Sequence, residues 1–345
     1  MVRTGANSYV RYGWQSAFGT AAGDSALDKP FGINQRLTNW SLSNSPKDLA
    51  TLGQVELDDY AYGQQTGSAG VDFVLSNPWI FRAIYGAPAS NTASGVTTHT
   101  YGTTGGVHAA AKNVQPFTTE VGFQPENATN TTVVRRGIGC VLNSLGINTT
   151  VDGTVNCSAD ISYGQEDHTS GSVFTTGFDT TPPTDDIAFP YTFAHGSVKW
   201  NDGSSLATVA EVQDVSITFA QNPTLLYGVG DHKAVASFRR VLDITGSFRA
   251  SWLDEKKINQ LLDQIRSDGT AKETVGTATS VDLELFFTNS ASTTSEKSIK
   301  VKLEGIRPDS VAIDGIQPVE PVFENIAWRT KRASVVAVNA VGTAK

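Results

Sequence analysis

Apolar and polar residues alternate with a period of two along much of this chain, the spacing that sends successive side chains to opposite faces of a strand. Trp40 and Leu42, Val55 and Leu57, and the run Val71-Asp-Phe73-Val-Leu75 follow it early on. Further strands are predicted over 117–123, 133–142, 145–151 and 155–163, then over 212–219, 235–252, 281–287, 299–305, 311–316 and 319–328. Two stretches carry helical spacing instead. Asn77 and Pro78 suit a cap and a first helical position ahead of Trp79, Ile80, Ala83 and Ile84, and Gly86 is placed to end that helix. Ile258, Leu261, Leu262 and Ile265 make one stripe, so a second helix is predicted over 254–266, with Asp254 and Glu255 at its positive end and Gly269 beyond its last turn.

The order of these elements repeats. Trp40-Ser-Leu42-Ser-Asn-Ser-Pro46 aligns with Ile217-Thr-Phe219-Ala-Gln-Asn-Pro223 at a displacement of 177 residues, which also carries Asn77-Pro78 onto Asp254-Glu255. Phe117-Thr-Thr-Glu120-Val-Gly-Phe123 aligns with Val281-Asp-Leu-Glu284-Leu-Phe-Phe287 at 164, and Gly139, Ser144 and Ile147 fall on Gly305, Ser310 and Ile313 at 166. Solenoid repeats have periods of about 20–50 residues. A period this long implies a duplicated domain, so that one chain would supply two neighbouring positions of a ring. The expected division is an N-terminal arm over 1–30, a first copy over 31–164 with a long loop at 87–116, a linker over 165–190, a second copy over 191–332 and a tail over 333–345. The apolar tail is expected to pair with a neighbour. The loop is either a reach toward the next ring or a dispensable segment.

With 345 residues, 39% hydrophobic content and six Trp, the chain can build two packed cores. A low charged fraction of 17% with abundant Gly, Ser and Thr suits many short strands joined by turns. No apolar run approaches the roughly 20 residues of a membrane helix, and no secretion signal opens the chain, so synthesis in the cytoplasm and no membrane partner are expected. The net charge of −8 argues against binding nucleic acid through phosphate neutralisation, but not against a surface that nucleic acid slides past.

No catalytic constellation stands out, so the chain reads as a non-enzyme without cofactor or metal. The phosphate-binding, zincin, nucleophile-elbow and paired C-x-x-C patterns are missing. His99, His108, His168, His195 and His232 are scattered, and Asp58-Asp59 and Asp185-Asp186 lack the spacing of a calcium loop. Cys140 and Cys157 flank a turn around Asp152-Gly153; they either face each other across strands or are two buried small residues. Asn130-Thr-Thr and Asn148-Thr-Thr are chance-level glycosylation triplets in so Thr-rich a chain.

Two stretches carry a family likeness. Tyr12-Gly-Trp14-Gln-Ser-Ala-Phe18-Gly19-Thr20-Ala21 resembles the short aromatic and Phe-Gly-Thr signature that opens many tail tube proteins of long-tailed phages and archaeal tailed viruses. Gly137-Ile-Gly139-Cys140-Val141-Leu142-Asn143-Ser144-Leu145, after Pro116-Phe117-Thr118, is similar to that family's strand pair in a comparable place. The resemblance implies a mainly β chain of two tandem β-sandwich or barrel domains, each with one flanking α-helix, contributing strands to an inner β-barrel of a ring. It further implies stacked rings in the virion tail through which double-stranded DNA passes without specific binding, with terminator, tape measure and baseplate proteins as partners. The doubled set of strands departs from the usual six-subunit ring and favours three chains in pseudo-sixfold symmetry, six being the alternative.

A DNA conduit benefits from carboxylates that repel phosphates over a Debye length of about 8 Å. The candidate lumen-facing acids are Glu56, Asp58, Glu120, Asp282 and Glu284, with Glu120 and Glu284 favoured because they occupy matching places in the two copies; otherwise they are polar residues on an outer sheet face. The competing reading is a two-domain adhesin, spike or carbohydrate-binding protein, in which Trp14, Trp40 and Trp200 would stack on sugars.

Overall fold

The computed structural model describes residues 8–23, 26–49, 59–61, 63–93, 95–102, 115–123, 133–151, 153–170, 190–201, 206–208, 212–251, 281–288, 297–313 and 322–339. The first part of the chain forms β1 (Ser8–Trp14), β2 (Ile33–Asn44), β3 (Lys47–Leu49), β4 (Asp59–Ala61), β5 (Gln65–Val74), β6 (Ala89–Ala93), β7 (Val96–Tyr101), β8 (Phe117–Phe123), β9 (Val133–Thr150), β10 (Asn156–Tyr163) and β11 (Gln165–Ser170). The second forms β12 (Thr192–Asn201), β13 (Leu206–Thr208), β14 (Val212–Ala220), β15 (Thr224–Tyr227), β16 (Ala234–Phe238), β17 (Asp243–Ser251), β18 (Val281–Thr288), β19 (Ser298–Ile313) and β20 (Phe323–Asn339). All pairings among them are antiparallel. The main path runs β13-β12-β18-β19-β20-β17-β14-β9-β10-β5-β2.

Strand registers repeat between the two parts at the displacements seen in the sequence. Trp40 lies opposite Ala69, and Ile217 opposite Gly246, so the β2·β5 pairing recurs as β14·β17 at 177. Glu120 lies opposite Arg136 and Glu284 opposite Lys302, so β8·β9 recurs as β18·β19. The hairpin β3·β4, with Lys47 opposite Ala61, recurs as β15·β16, with Thr224 opposite Phe238. The irregularities recur too. Gly139 has φ 68° and Gly305 φ 67°. Asn143 is the extra residue where β9 slips against β10, and Asp309 is the extra residue where β19 slips against β20. A bulge with a left-handed glycine nearby bends a strand sharply without ending it: the pieces expected at 133–142 and 145–151 are joined in β9, and those expected at 299–305 and 311–316 are joined in β19 as far as Ile313, where that described stretch ends.

Tyr12 of β1 and Trp200 of β12 are buried at equivalent places beside β8 and β18, so residues 8–14 are a core strand and not part of a free arm. The linker expected at 165–190 begins as β11, paired with β9, and the loop expected at 87–116 contains the hairpin β6·β7. The tail expected to reach a neighbour is, as far as Asn339, the end of β20, paired with β19 and with β7 of its own chain. A 3-10 turn, Trp79–Phe81, runs into helix α1, Arg82–Tyr85, with the Trp79 amide donating to Asn77 Oδ1 (3.2 Å) and Gly86 (φ 78°) closing it. The helix expected over 254–266 and the carboxylates Glu56 and Asp58 lie outside the described residues.

Candidate functional site

Eight strands in the order β2-β5-β10-β9-β14-β17-β20-β19 form one continuous sheet, four from each part of the chain. The halves join where β14 pairs with the second half of β9, from Asp214 opposite Thr150 to Ala220 opposite Ser144. One face of the joint is core: Leu145, Phe219, Ile147 and Ile217 are all buried, and Phe219 meets the rings of Phe81 and Tyr85 edge-on at 6.3 Å. Gln221 ties the joint to the helix by donating from Nε2 to the Ala83 carbonyl (3.1 Å).

The opposite face is a carpet of short hydroxyl and amide side chains. Asn39 Nδ2 donates to Ser68 Oγ (2.9 Å), Ser41 and Ser68 hydroxyls meet at 2.7 Å, and Asn143 Nδ2 donates to Ser162 Oγ (2.7 Å). Some of its charges come with opposite partners: Asp72 lies across from Arg36, and Arg329 grips Asp309 through Nε and Nη2 at 2.9–3.1 Å, whereas Asp160 accepts from the Asn143 amide (3.2 Å). A polar surface whose groups already bond one another offers a passing polyanion little to hold.

The acids on this face include Asp72, Asp160 and Asp214. Asp72 sits between the core residues Val71 and Phe73, Asp160 between Ala159 and Ile161, and Asp214 beside the core residue Val215. The pair favoured from sequence lies elsewhere. Glu120 is completely enclosed, accepting from Tyr9 Oη (2.9 Å), from Arg11 (2.8 Å) and from Arg136 Nε (2.9 Å), with Arg136 Nη2 closing on the same carboxylate. Its charge is neutralised inside the chain, not exposed on the polar face. Burial first, and then the Glu120 carboxylate, push the Tyr9 phenol far above its usual range. Glu284 is also buried, between Lys199 (3.8 Å) and Lys300 (3.4 Å). Asp282 accepts from the Gly305 amide (3.0 Å) and braces the kink in β19. Sequence reasoning matched Glu120 with Glu284 but missed their cations, because Arg11 and Lys199 arrive on strands far away in the chain.

The aromatic platform expected of a sugar-binding module does not form. Trp200 is buried, Trp40 donates to Glu166 (3.1 Å) beneath Arg135, and Trp14 is covered by Arg82 at 5.0 Å. His99 is buried against Trp79 and bonded to Ser90 (2.8 Å). Cys140 and Cys157 are free buried thiols. Among the described residues no cluster of three or more His, Cys, Asp or Glu is arranged to hold a metal, and no helix is long and apolar enough to cross a membrane. An open cleft of about 450 Å³ lies beside the β15·β16 hairpin, lined by Lys47, Gln64, Asp231 and His232 among others.

Both outer strands of the eight have an open edge: among the described residues β2 pairs only with β5, and β19 beyond Ile306 pairs only with β20. Open edges of this length invite further strand pairing unless another chain covers them. No curated protein matches the chain in sequence. The profile of a family described as phage tail tube protein matches residues 5–330, spanning both parts of the repeat and the whole eight-stranded sheet. This chain belongs to the phage tail tube protein family.

Proposed function

We propose that this structural protein of the virion tail closes rings of three chains with pseudo-sixfold symmetry, and that stacked rings form the conduit through which the viral genome leaves. The observation that carries this reading is the joint between β9 and β14. There the sheet of one half continues into the sheet of the other by strand pairing, as adjacent positions of a ring would. Because the two halves repeat each other's registers, the same step applied at the outer edges adds another chain, and a sheet that closes on itself has no edges left. Three eight-stranded contributions give a barrel of about 24 strands, far too wide to be filled by side chains, since even 16–18 strands leave an aqueous channel.

In this arrangement the hydroxyl and amide face, with Asp72, Asp160 and Asp214, lines the lumen, and the apolar face packs against the outer strands. The wall is then polar, hydrated and nearly charge-balanced, and double-stranded DNA slides past without a specific site. Terminator, tape measure and baseplate proteins are the natural partners at the tube ends and inside it. Negative-stain microscopy of purified protein tests the reading. Rings or hollow tubes are expected, and particles that stay single and solid at concentrations well above micromolar would overturn it.

A further inference from the structure

We infer that the open edge of β19 in one copy pairs with the open edge of β2 in a second copy, in the register that β9 and β14 keep inside the chain. This rests on the ring reading above and specifies its contacts. The repeat carries β9 onto β19 at a displacement of 166 and β14 onto β2 at 177. Leu145 opposite Phe219 therefore becomes Val311 opposite Leu42, and Ile147 opposite Ile217 becomes Ile313 opposite Trp40. On the other face, Ser310 meets Ser43 and Ala312 meets Ser41.

Exposure points the same way. The four apolar residues of the internal joint are at most 2% exposed, whereas Leu42 is 41% and Ile313 49% exposed. Trp40 and Val311 are half-buried and pack against the edge of the core. A second copy would cover all four, and the small Ser and Ala residues behind them bring no clash of charge. The register is sharply set, since a slip of one residue would turn Leu42 and Ile313 onto the polar face. The bulges at Asn143 and Asp309 phase β9 and β19 alike, so the two strands present the same alternation to a partner. Within one chain β2 and β19 stand at opposite ends of the eight-strand path, so the partner is another copy.

Disulfide trapping tests this. Antiparallel neighbours directly opposite each other bring Cα atoms to about 4.5–5.5 Å, within reach of a disulfide, and both native cysteines are buried. Chains carrying Leu42→Cys with Val311→Cys, or Ser41→Cys with Ala312→Cys as a milder second pair, are assembled, oxidised with copper phenanthroline and run on denaturing gels without reductant. Covalent species of two and three chains are expected, and mixing the single variants should give covalent dimers. The offset pair Asn44→Cys with Ile313→Cys, four residues out of register and roughly 14 Å apart along the strand, should stay monomeric on the gel. Trapping of the offset pair in place of the in-register pairs would overturn the register. Rings visible by microscopy in which none of the pairs is trapped would overturn edge pairing while leaving the ring reading intact. If the unsubstituted chain forms no rings, the ring reading itself fails and this seam with it.

Discussion

Replacing Glu120 and Glu284 in turn by Gln probes two equivalent positions in unequal surroundings. Gln keeps the volume of Glu, so no cavity forms and the effect is electrostatic. At Glu120 the substitution removes the carboxylate that two buried guanidiniums, those of Arg11 and Arg136, bond to, and points an amide at one of them. Breaking a buried ion pair by removing one partner costs about 3–5 kcal/mol. At Glu284 the ammonium groups stand at 3.4 and 3.8 Å on side chains more than a third exposed, so water can solvate them once the carboxylate is gone. Screened pairs of that kind are worth about 1 kcal/mol or less. Denaturant unfolding of the unassembled chain should therefore place Glu120→Gln at least about 2 kcal/mol below Glu284→Gln. Equal losses in the two variants, or a negligible loss at Glu120, would refute the claim that the Arg11–Glu120–Arg136 cluster is a closed, structural charge.

The glycine kinks and the thiols give two further tests. Gly139→Ala and Gly305→Ala both put a side chain on a left-handed residue, a strain of about 1–2 kcal/mol; Gly139→Ala should lose more stability in denaturant, because its new Cβ would sit 2.9 Å from the Phe18 ring while at Gly305 only the flexible Lys331 side chain comes within 3.5 Å. Burial pushes the Cys140 thiol up to about 12 and raises Cys157 further. Neither should react with Ellman's reagent at pH 8 in the folded protein, and both should react at once in guanidinium. A protein carrying no titratable thiol after denaturation would show a disulfide and contradict the two-free-thiol assignment.

Much of the strand content was legible because its core positions are apolar: Val71, Phe73, Ile217 and Phe219 alternate with polar neighbours in the period that strands require. Pairing Glu120 with Glu284, and Gly139 with Gly305, was legible from spacing alone. The hairpin of β6 and β7 was not, for a physical reason. Its buried positions are Thr97, His99 and Tyr101, and the first two are satisfied by Thr92 (2.9 Å) and Ser90 (2.8 Å) and not by apolar packing. An alternation of buried polar with half-buried polar residues gives no hydrophobic signal. The role of β1 was hidden similarly, since Arg11 reads as a surface residue until Glu120 is placed beside it. The long strands β9 and β19 read as two pieces each in the sequence because a kink residue and a bulge resemble a turn, although they carry one strand through a bend.

Native mass spectrometry of a single isolated ring, with symmetry read from cryo-microscopy of the same particles, tests the central claim most directly. The account predicts three chains of 36.7 kDa, about 110 kDa in all, with three true repeats and six similar lobes around a hollow centre. A ring of six chains, or three chains whose halves do not occupy equivalent positions around the lumen, would contradict it.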